Sequence, residues 1–436
     1  MNPSNLLAWL NFFVSDVRDG LAPFLGVFLL QNGFGEAQVG LIATISSIIA
    51  LTLGVPCGIW VDKTTRKKEF IALFIALIML FCSLNYFFPS FIFTLLAQGL
   101  VAISGVFLAP AFAALTLGII GAKNYPLQCA RNEAYKHAGT LFGATLSFVF
   151  ALYFGIVSVF VITAVLGAIS LMILALIKRE SINDFTARGE IVGVSHGKEA
   201  QNLWALFADR RVVFLSVIMF CFHLSNAAML PLLSQRAQKL GIDSSGAFAA
   251  ATIIIAQGVM IIASLVCLRL LGGGESRNLG ESNADLQKDS QTNLSNQVID
   301  SAQDSHNPRA KRAFKVYFWL FFACFFALII RGIIAANFAG IGGMVFTQIL
   351  DGIGAGVSGV IVPVIVAFML RGSGHINAGL ALVLTCGGLG VALSGGIGGY
   401  FAQFYGYLYA YLFLGAVAGL GLLLWLVGAK ILVREN

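Results

Sequence analysis

Charged residues are scarce in this sequence. Only 11% of its 436 residues are Asp, Glu, Lys or Arg, against roughly 25% in soluble domains. Hydrophobic residues make up 58% of the chain, and the mean hydropathy is +0.88. Such a composition leaves too little polar surface to coat a soluble globule. It predicts a polytopic membrane protein surrounded by lipid.

Several motifs of catalysis and metal binding are missing. The seven Cys are scattered through apolar runs, without a C-x-x-C pair or a His/Cys cluster, so we expect buried thiols and no metal site. No Walker motif is present, which argues against ATP hydrolysis. The motif "GAGVSG" at 354–359 satisfies G-x-G-x-x-G, but it lies inside an apolar run and is interpreted as helix packing. We therefore expect no enzyme activity and no cofactor.

Hydrophobic runs of about 20 residues predict an all-α protein with twelve transmembrane helices. The N-terminus lacks a basic n-region and a small-residue cleavage site, so the first run is interpreted as a retained helix. The predicted segments are 6–31, 37–61, 69–88, 90–120, 132–153, 155–177, 212–235, 247–271, 314–336, 340–370, 376–402 and 406–429.

Two polar stretches predict the domain organisation. Residues 178–211 form a central linker between an N-terminal six-helix half, 1–177, and a C-terminal half, 212–436. Residues 272–313 are rich in Ser, Asn, Gln and Asp. That composition cannot bury a core, so a disordered polar insert is predicted there.

Lys and Arg are distributed unequally between the two predicted sides. Most fall on the side of the N-terminus, whereas the opposite side receives little beyond Arg236 and Lys239. The positive-inside rule then places both termini in the cytoplasm. The same rule accounts for the net charge of +7, so a nucleic-acid partner is not expected.

The two halves carry a weak internal repeat. An offset of 253 places Gln98 on Asp351, and an offset of 207 places Asp16 on His223 and Asp19 on Asn226. Two similarly oriented six-helix halves are typical of secondary transporters that rock around a central site.

The loop after the second segment reads "GIWVDKTTRKK". It resembles the loop signature G-x-x-x-D-[RK]-x-G-[RK]-[RK] of the major facilitator superfamily, with Thr65 in place of the second Gly. The resemblance implies a cytoplasmic charge cluster that gates a change between two states. The alternative is a basic loop that serves only membrane topology. The gating candidates are Gly58, Asp62, Lys63, Arg66 and Lys67.

The resemblance extends over most of the chain outside the insert. It is carried by stretches such as "LNFFVSDVRDGLAPFLGVFL", "ARNEAYKHAG" and "QILDGIGAGVSGVIVP", and it is to a group of bacterial members without a well-defined substrate. It therefore implies the fold and transport, but no cargo. Leu95 stands where many proton-driven members have Arg, and the fifth segment lacks the Gly-Pro signature of drug antiporters. Both departures weaken a specific assignment as a drug–proton antiporter.

Three charges interrupt the first segment. A central Asp or Arg costs about 2.5–3.5 kcal/mol on insertion, so Asp16, Arg18 and Asp19 must face the bundle or a wet cavity. Asp16 and Asp19 share one helix face. Close carboxylates suit a proton carrier, whereas an Asp–Arg pair would be a static structural network. Both interpretations stay open.

Other polar side chains in apolar segments extend the candidate site. Proton or substrate coupling is assigned to Asp16, Arg18, Asp19, Asp351 and His223, although Asp351 and His223 could serve only as hydrogen-bonding partners. The substrate cavity is assigned to Asn226, Gln98 and Gln348. Glu133 and His137 are secondary candidates with an expected interfacial role, and Arg331 either belongs to the site or extends to the membrane interface.

These observations predict a monomeric secondary transporter in a bacterial cytoplasmic membrane. It would move a small solute by alternating access, with protons as the driver and export of a neutral or cationic compound favoured. The alternatives are a proton-coupled importer of a metabolite and a protein of this fold that binds or senses without transport. An enzyme acting on lipid is disfavoured, because no nucleophile or metal set accompanies the carboxylates.

Overall fold

The chain is helical in nearly all of the part that the computed structural model describes, residues 2–19, 25, 28–29, 31–189, 203–241, 247–272, 308–338 and 340–433. In lipid, helices satisfy every backbone polar group within one segment. The helices are α1 (Pro3–Asp19), α2 (Glu36–Lys63), α3 (Lys67–Phe87), α4 (Phe91–Phe154), α5 (Val157–Leu176), α6 (Asp184–Arg188), α7 (Leu203–Ala208), α8 (Arg210–Asn226), α9 (Met229–Lys239), α10 (Ala247–Gly272), α11 (Pro308–Asn337), α12 (Ile341–Met369), α13 (Ile376–Phe404) and α14 (Tyr407–Gly428). Short 3-10 turns cover Arg179–Ser181 and Ala429–Val433.

The described residues contain ten helices long and apolar enough to cross a membrane. One of them, Phe91–Ala151, has 61 residues and covers two predicted segments. The helix α1 has 17 residues. Most of the remaining residues of the first predicted segment, 6–31, are not among those that the structure describes. With the long helix counted twice and α1 included, the helices match the twelve predicted segments. The all-α membrane fold is confirmed.

The long helix α4 folds back on itself at Gly121. Asn132 Nδ2 donates to Thr116 Oγ1 at 3.1 Å, although a straight helix would separate residues sixteen apart by about 24 Å. Gly121 has φ 75° and ψ 163°, a conformation open mainly to glycine. The predicted segments end at 120 and resume at 132, whereas helix continues through 122–131, where polar residues bond to a neighbouring helix. Gln128 Nε2, for example, donates to the carbonyl of Ser4 at 3.0 Å.

The seventh predicted segment is broken between α8 and α9. Pro231 cannot supply a backbone N–H, and the chain turns at residues 227–228. Ser394 of α13 bridges the break: its Oγ donates to the carbonyl of Leu224 at 2.7 Å and accepts from the N–H of Ala228 at 2.9 Å. The predicted single helix 212–235 is therefore two helices held by a neighbouring hydroxyl group.

Two large hydrophobic clusters form most of the described interior, one mainly from α1–α5 and the other mainly from α8 and α10–α14, and two small clusters lie in the C-terminal half. The second cluster also includes Leu117, Tyr125, Cys129 and Ala130, which flank the fold-back of α4. Outward-facing apolar side chains such as Val427, 83% exposed, suit a lipid surround. Each half thus has its own core, and the N-terminal half reaches into the other core near Gly121.

The predicted insert lies largely outside the described residues, which resume at Pro308. There α11 begins, inside the stretch predicted to be disordered. Pro is favoured in the first turn of a helix because its missing N–H has no partner there. The predicted central linker contains the turn Arg179–Ser181 and the helices α6 and α7.

Candidate functional site

The two halves are joined at one end by the carboxylate of Asp62. It lies at the end of α2, is 3% exposed, and contacts the first turn of α13 in the other half. Its Oδ1 accepts from Asn377 Nδ2 at 2.7 Å and from the Asn377 N–H at 3.2 Å, and its Oδ2 accepts from the Ala378 N–H at 2.7 Å. The first N–H groups of a helix have no intrahelical acceptor, and the helix dipole favours an anion there. Asp62 therefore caps a helix of the opposite half. We call this end, with Asp62, Asn377 and Ala378, the joined end.

Glycines allow α2 and α13 to approach closely above this cap. A Cβ built on Gly58 would lie 2.5 Å from Ala381 Cβ and 2.7 Å from the carbonyl oxygen of Asn377. One turn further, a Cβ on Gly54 would lie 2.0 Å from Thr385 Oγ1. Any larger residue would hold the helices apart, so the glycines are a geometric condition for the Asp62 contact.

The central linker passes under the joined end and contacts both halves. The N–H of Asn183 donates to the carbonyl of Gly118 at 3.0 Å on the N-terminal side. On the other side, Asn377 Nδ2 donates to the carbonyl of Ala187 at 2.9 Å, and the Gly372 N–H donates to the carbonyl of Gly189 at 2.6 Å. We call residues 183–189 the clip.

The basic residues of the predicted gating loop occupy different positions. Lys67 is 1% exposed; its Nζ donates to the carbonyl of Thr64 at 2.6 Å and lies 3.7 Å from Asp184 Oδ1 in the clip. Lys63 and Arg66 are exposed. Arg179 pairs with Asp184 and donates to the carbonyl of Thr65 at 2.7 Å. Lys67 thus joins the loop to the clip, while Asp62 joins it to the other half.

Asp16 is buried between α1 and the second arm of α4, with 1% exposure. Its carboxylate lies against Gly143, where an added Cβ would be 2.1 Å from Oδ1. The carbonyl oxygen of Phe12 lies against Gly139 in the same way, in the space that a Cβ would occupy. The backbone of Arg18 and Asp19 continues α1, but their side chains lie outside the described residues, so their predicted pairing stays a prediction.

His223 occupies an analogous place in the C-terminal half. Its imidazole lies against Gly387 of α13, where an added Cβ would be 2.7 Å from Cδ2. Asp16 and His223 are aligned by the predicted repeat, and each packs against a glycine of a neighbouring helix. The two positions are therefore structurally comparable.

Arg331, Asp351 and Asn226 meet inside the C-terminal half. Arg331 is 1% exposed; its Nη1 lies 3.0 Å from Asp351 Oδ1, and the guanidinium donates to Asn226 Oδ1. A buried charge requires such a partner. Arg331 is thus enclosed by protein instead of extending to the membrane interface.

Two predicted cavity residues keep unsatisfied amide groups. Gln348 is fully buried, and within the described part of the chain neither of its side-chain polar atoms has a hydrogen-bond partner. Gln98 Nε2 is in the same situation among those residues. Burying an amide without a partner is costly, so both side chains retain hydrogen-bonding capacity that the described residues do not use.

A second contact between the halves lies on the second arm of α4. His137 Nδ1 is 2.9 Å from Gln257 Oε1 of α10, and His137 Nε2 is 3.6 Å from Glu133 Oε2. Glu133 also pairs with Lys136 and faces Gly359 of α12, where an added Cβ would lie 2.7 Å from Oε2. Both side chains are therefore placed between the halves.

Sequence reasoning missed the partners of these residues. Four of these partners were not candidates: Asn377, Gln257, Asp184 and Lys136. Each either contacts a residue that is remote in sequence or is of a type that is common on protein surfaces. Asn377 alone carried a local signal, since it begins a predicted segment where free N–H groups favour an anion. Among the described residues, no group of three or more His, Cys, Asp or Glu is placed to hold a metal ion.

This geometry defines a multi-pass helical membrane protein of two halves that are joined at one end by hydrogen bonds and by apolar residues of both cores. Residues 6–277 match the family model of the Major Facilitator Superfamily. Uncharacterized MFS-type transporters from two strains of Mycobacterium tuberculosis are 30% identical over 421 residues, 96% of this chain and 91% of theirs. The chain belongs to the Major Facilitator Superfamily of transporters.

Solved transporters share the fold. FucP in the outward conformation superposes with a TM-score of 0.70 at 13% identity, covering 100% of this chain and 99% of FucP. The human organic anion transporter MFSD10 gives a TM-score of 0.65 at 12% identity, covering 98% and 100% of the two chains. At these identities the likeness shows the common architecture alone.

Proposed function

We propose that this chain moves a small solute across the bacterial cytoplasmic membrane by alternating access. The joined end would face the cytoplasm, together with both termini, as the distribution of Lys and Arg favours. The two halves would rock about a central cavity, so that this end opens when the opposite end closes.

The observation that carries the proposal is the cap of Asp62 on α13. Hydrogen bonds to a charged acceptor contribute about 1.5–3 kcal/mol each, so the contact stabilises the joined state. Water can replace all of these hydrogen bonds once the halves separate, so the cap can break without unfolding either helix. A contact of this kind suits a two-state element that opens and closes repeatedly.

Coupling to protons is the second part of the proposal. Asp16 is the first carrier candidate, because a deeply buried carboxylate in a membrane helix is costly unless it is protonated or compensated. Asp19 and Arg18 adjoin it on α1. Asp351 and His223 are further candidates, although the charge of Asp351 is matched by Arg331. FucP, which shares the fold, is described as a fucose:proton symporter, and this description supports proton coupling as part of the proposal.

The substrate proposal follows from charge and from unsatisfied amides. Because Asp351 compensates Arg331, the C-terminal half offers no strong attraction for an anion at that position. The acidic residues of α1 favour a neutral or cationic compound, and Gln98, Gln348 and Asn226 would supply amide contacts. We favour export of such a compound; import of a metabolite and binding without transport are the alternatives.

Transport by reconstituted protein tests the function. A thermal-shift screen of metabolites and cationic amphiphiles across pH would supply a bound compound, whose flux is then measured in proteoliposomes with an imposed pH gradient. We expect gradient-driven flux that Asp16→Asn reduces at least tenfold. Glu69→Gln, at an exposed position on α3, is the matched control.

Three outcomes would count against parts of this proposal. Binding without flux would favour a sensor. Flux that is indifferent to the gradient would remove proton coupling. Undiminished coupled flux in both Asp16→Asn and Asp19→Asn would exclude the carrier role of these residues.

A further inference from the structure

The contact between His137 and Gln257 involves a histidine ring, whose two nitrogens can each carry a hydrogen, whereas the Asp62 cap is made by a carboxylate. Each nitrogen of the His137 ring faces an oxygen: Nδ1 is 2.9 Å from Gln257 Oε1 and Nε2 is 3.6 Å from Glu133 Oε2. A neutral imidazole carries one N–H and can serve only one such acceptor. The imidazolium form has two N–H groups and suits both.

A neutral ring keeps this geometry only as the Nδ1–H tautomer, which leaves the lone pair of Nε2 facing the carboxylate of Glu133; the other tautomer requires a rearrangement. If Nε2–H points to Glu133, Nδ1 becomes an acceptor, and the Gln257 carboxamide must turn over to present its nitrogen. The placement of Oε1 fits both the neutral Nδ1–H tautomer and the imidazolium, and only the imidazolium also offers Glu133 an N–H. Glu133 adds a favourable charge, since an adjacent carboxylate favours the cationic form of histidine.

The charged surroundings of His137 are sparse. On its own helix, Glu133 and Lys136 are adjacent, and Cys129 and Tyr125 lie about one and two turns before Glu133 on the same face. The packed helix α10 contributes Gln257 at the contact; its described titratable residues, Cys267 and Arg269, lie ten or more positions away. In α12 the titratable residue is Asp351, paired with Arg331, while residues 91–121 contain none.

Gln257 and Gly359 belong to the C-terminal half, whereas Glu133, Lys136 and His137 belong to the N-terminal half. Separation of the halves at this end would withdraw Gln257 from Nδ1 and admit water to the ring. Of the His137 side chain, 10% is exposed, against 23% for Lys136. The proton on the imidazole would therefore lose a partner on opening, whereas the ammonium of Lys136 is already partly hydrated.

We propose that His137 binds a proton in the joined state and releases it when the halves separate, so that Glu133, His137 and Gln257 form a proton site that sets the conformational equilibrium. The inference rests on the alternating-access motion proposed above, and it concerns a site distinct from Asp16. In the binding step a proton taken from water forms an Nε2–H bond beside Glu133, and the step reverses on opening. Thermodynamic linkage then requires that low pH favours the joined state.

The experiment measures the joined population directly, without a substrate. Spin labels are placed at Glu69 and Lys430, exposed positions in the two halves, after the seven native cysteines have been replaced, and distances are recorded in nanodiscs. Between about pH 8 and about pH 5.5, which span the usual histidine pKa of about 6.5, we expect the short-distance population to increase at least threefold. His137→Gln should abolish this change.

Two further variants address the partner oxygens. Gln257→Glu supplies only acceptors and a negative charge, so the transition should move to higher pH by about one unit. Gly359→Ala should lower the joined population, since its Cβ would meet Glu133, whereas Gly258→Ala, with open space around it, should not. Tyr135→Phe is the matched control on α4, because Tyr135 packs its ring against Trp9.

Asp62→Asn separates failure of this inference from failure of the proposed motion. If that variant lengthens the distance but pH has no effect on the parent protein, or if His137→Gln retains the pH effect, the proton site is excluded and the motion stands. If neither pH nor Asp62→Asn changes the distance, the halves do not separate and the proposed function fails as well.

Discussion

Asp62 and Asp351 are both buried carboxylates, 3% and 7% exposed, yet their partners differ in kind. Asp62 accepts hydrogen bonds from the backbone of the opposite half, whereas Asp351 pairs with Arg331 in its own half. Separation of the halves breaks the first contact and leaves the second intact. Buried acids in one transporter can therefore serve two purposes: one stabilises a conformation, and the other stabilises a fold.

Arg331→Leu should have the largest effect and should act on folding. It leaves the Asp351 carboxylate buried without compensation, at a cost of about 3–5 kcal/mol. Yield and thermal unfolding in detergent measure the loss. The double variant Arg331→Leu/Asp351→Leu should recover most of the stability, because apolar replacement of a whole buried pair is often neutral. A single variant as stable as the parent would show that the pair does not support the fold.

Asp62→Asn should act on conformation instead. The amide keeps one acceptor oxygen but loses the charge, so we expect the ratio of joined to separated molecules to fall about tenfold to a hundredfold, equivalent to about 1.5–3 kcal/mol. The distance between labels at Glu69 and Lys430 measures the ratio. Thermal unfolding of the individual halves should change little. A large loss of thermal stability with an unchanged distance would show that Asp62, like Asp351, supports the fold and not one conformation.

Gly58→Ala should produce a smaller shift in the same direction. The added methyl group meets Ala381 and the carbonyl of Asn377, and overpacking of this kind costs about 1–3 kcal/mol. The same distance measurement detects it. Gly395→Ala, on the same helix as Ala381 but with nothing within 4 Å, should leave the ratio unchanged. Equal effects of the two substitutions would point to helix propensity as the cause.

Asp209→Ala should have the smallest effect. Asp209 caps α8 through the Arg211 N–H at 2.8 Å, and loss of a cap costs about 0.5–2 kcal/mol. Burial raises the pKa of Asp209, but the hydrogen bonds and charge of Arg211 lower it further, so the net pKa is below its ordinary value. Its stabilisation is therefore present above the unfolded pKa of about 3.9 and is lost as pH falls through the folded pKa. Melting temperatures of parent and variant at neutral and acidic pH should converge in acid.

The helical membrane architecture was predictable because hydrophobic length is a local property. The loop motif likewise located Asp62. Its partner was not predictable, because the start of a helix at Asn377 and Ala378 indicates free N–H groups but not which carboxylate, more than 300 positions away, binds them. The continuation of helix through 122–131 was missed for a related reason: polar residues there resemble a loop until Gln128 and Arg131 are seen to bond with Ser4.

The candidate site was predicted in part by residue type. Buried charges in apolar segments drew attention to Asp16, Asp351 and Arg331, because the cost of burying them is visible in the sequence. The pairing of Arg331 with Asp351 depends on how α11 packs on α12, which periodicity does not specify. Lys136 and Gln257 were overlooked because neither residue type is costly enough to stand out.

The position of the clip, residues 183–189, determines where the chain could be cut into two fragments that still assemble. A chain cut within 190–202 would leave the clip on the N-terminal fragment, where Gly189 and Ala187 still offer carbonyl groups to Gly372 and Asn377 of the other fragment. A cut ahead of Arg179 would transfer the clip to the C-terminal fragment, where its hydrogen bond to Gly118 would have to form between chains. Co-expressed fragments from the first division should therefore assemble through the same contacts that the intact polypeptide uses.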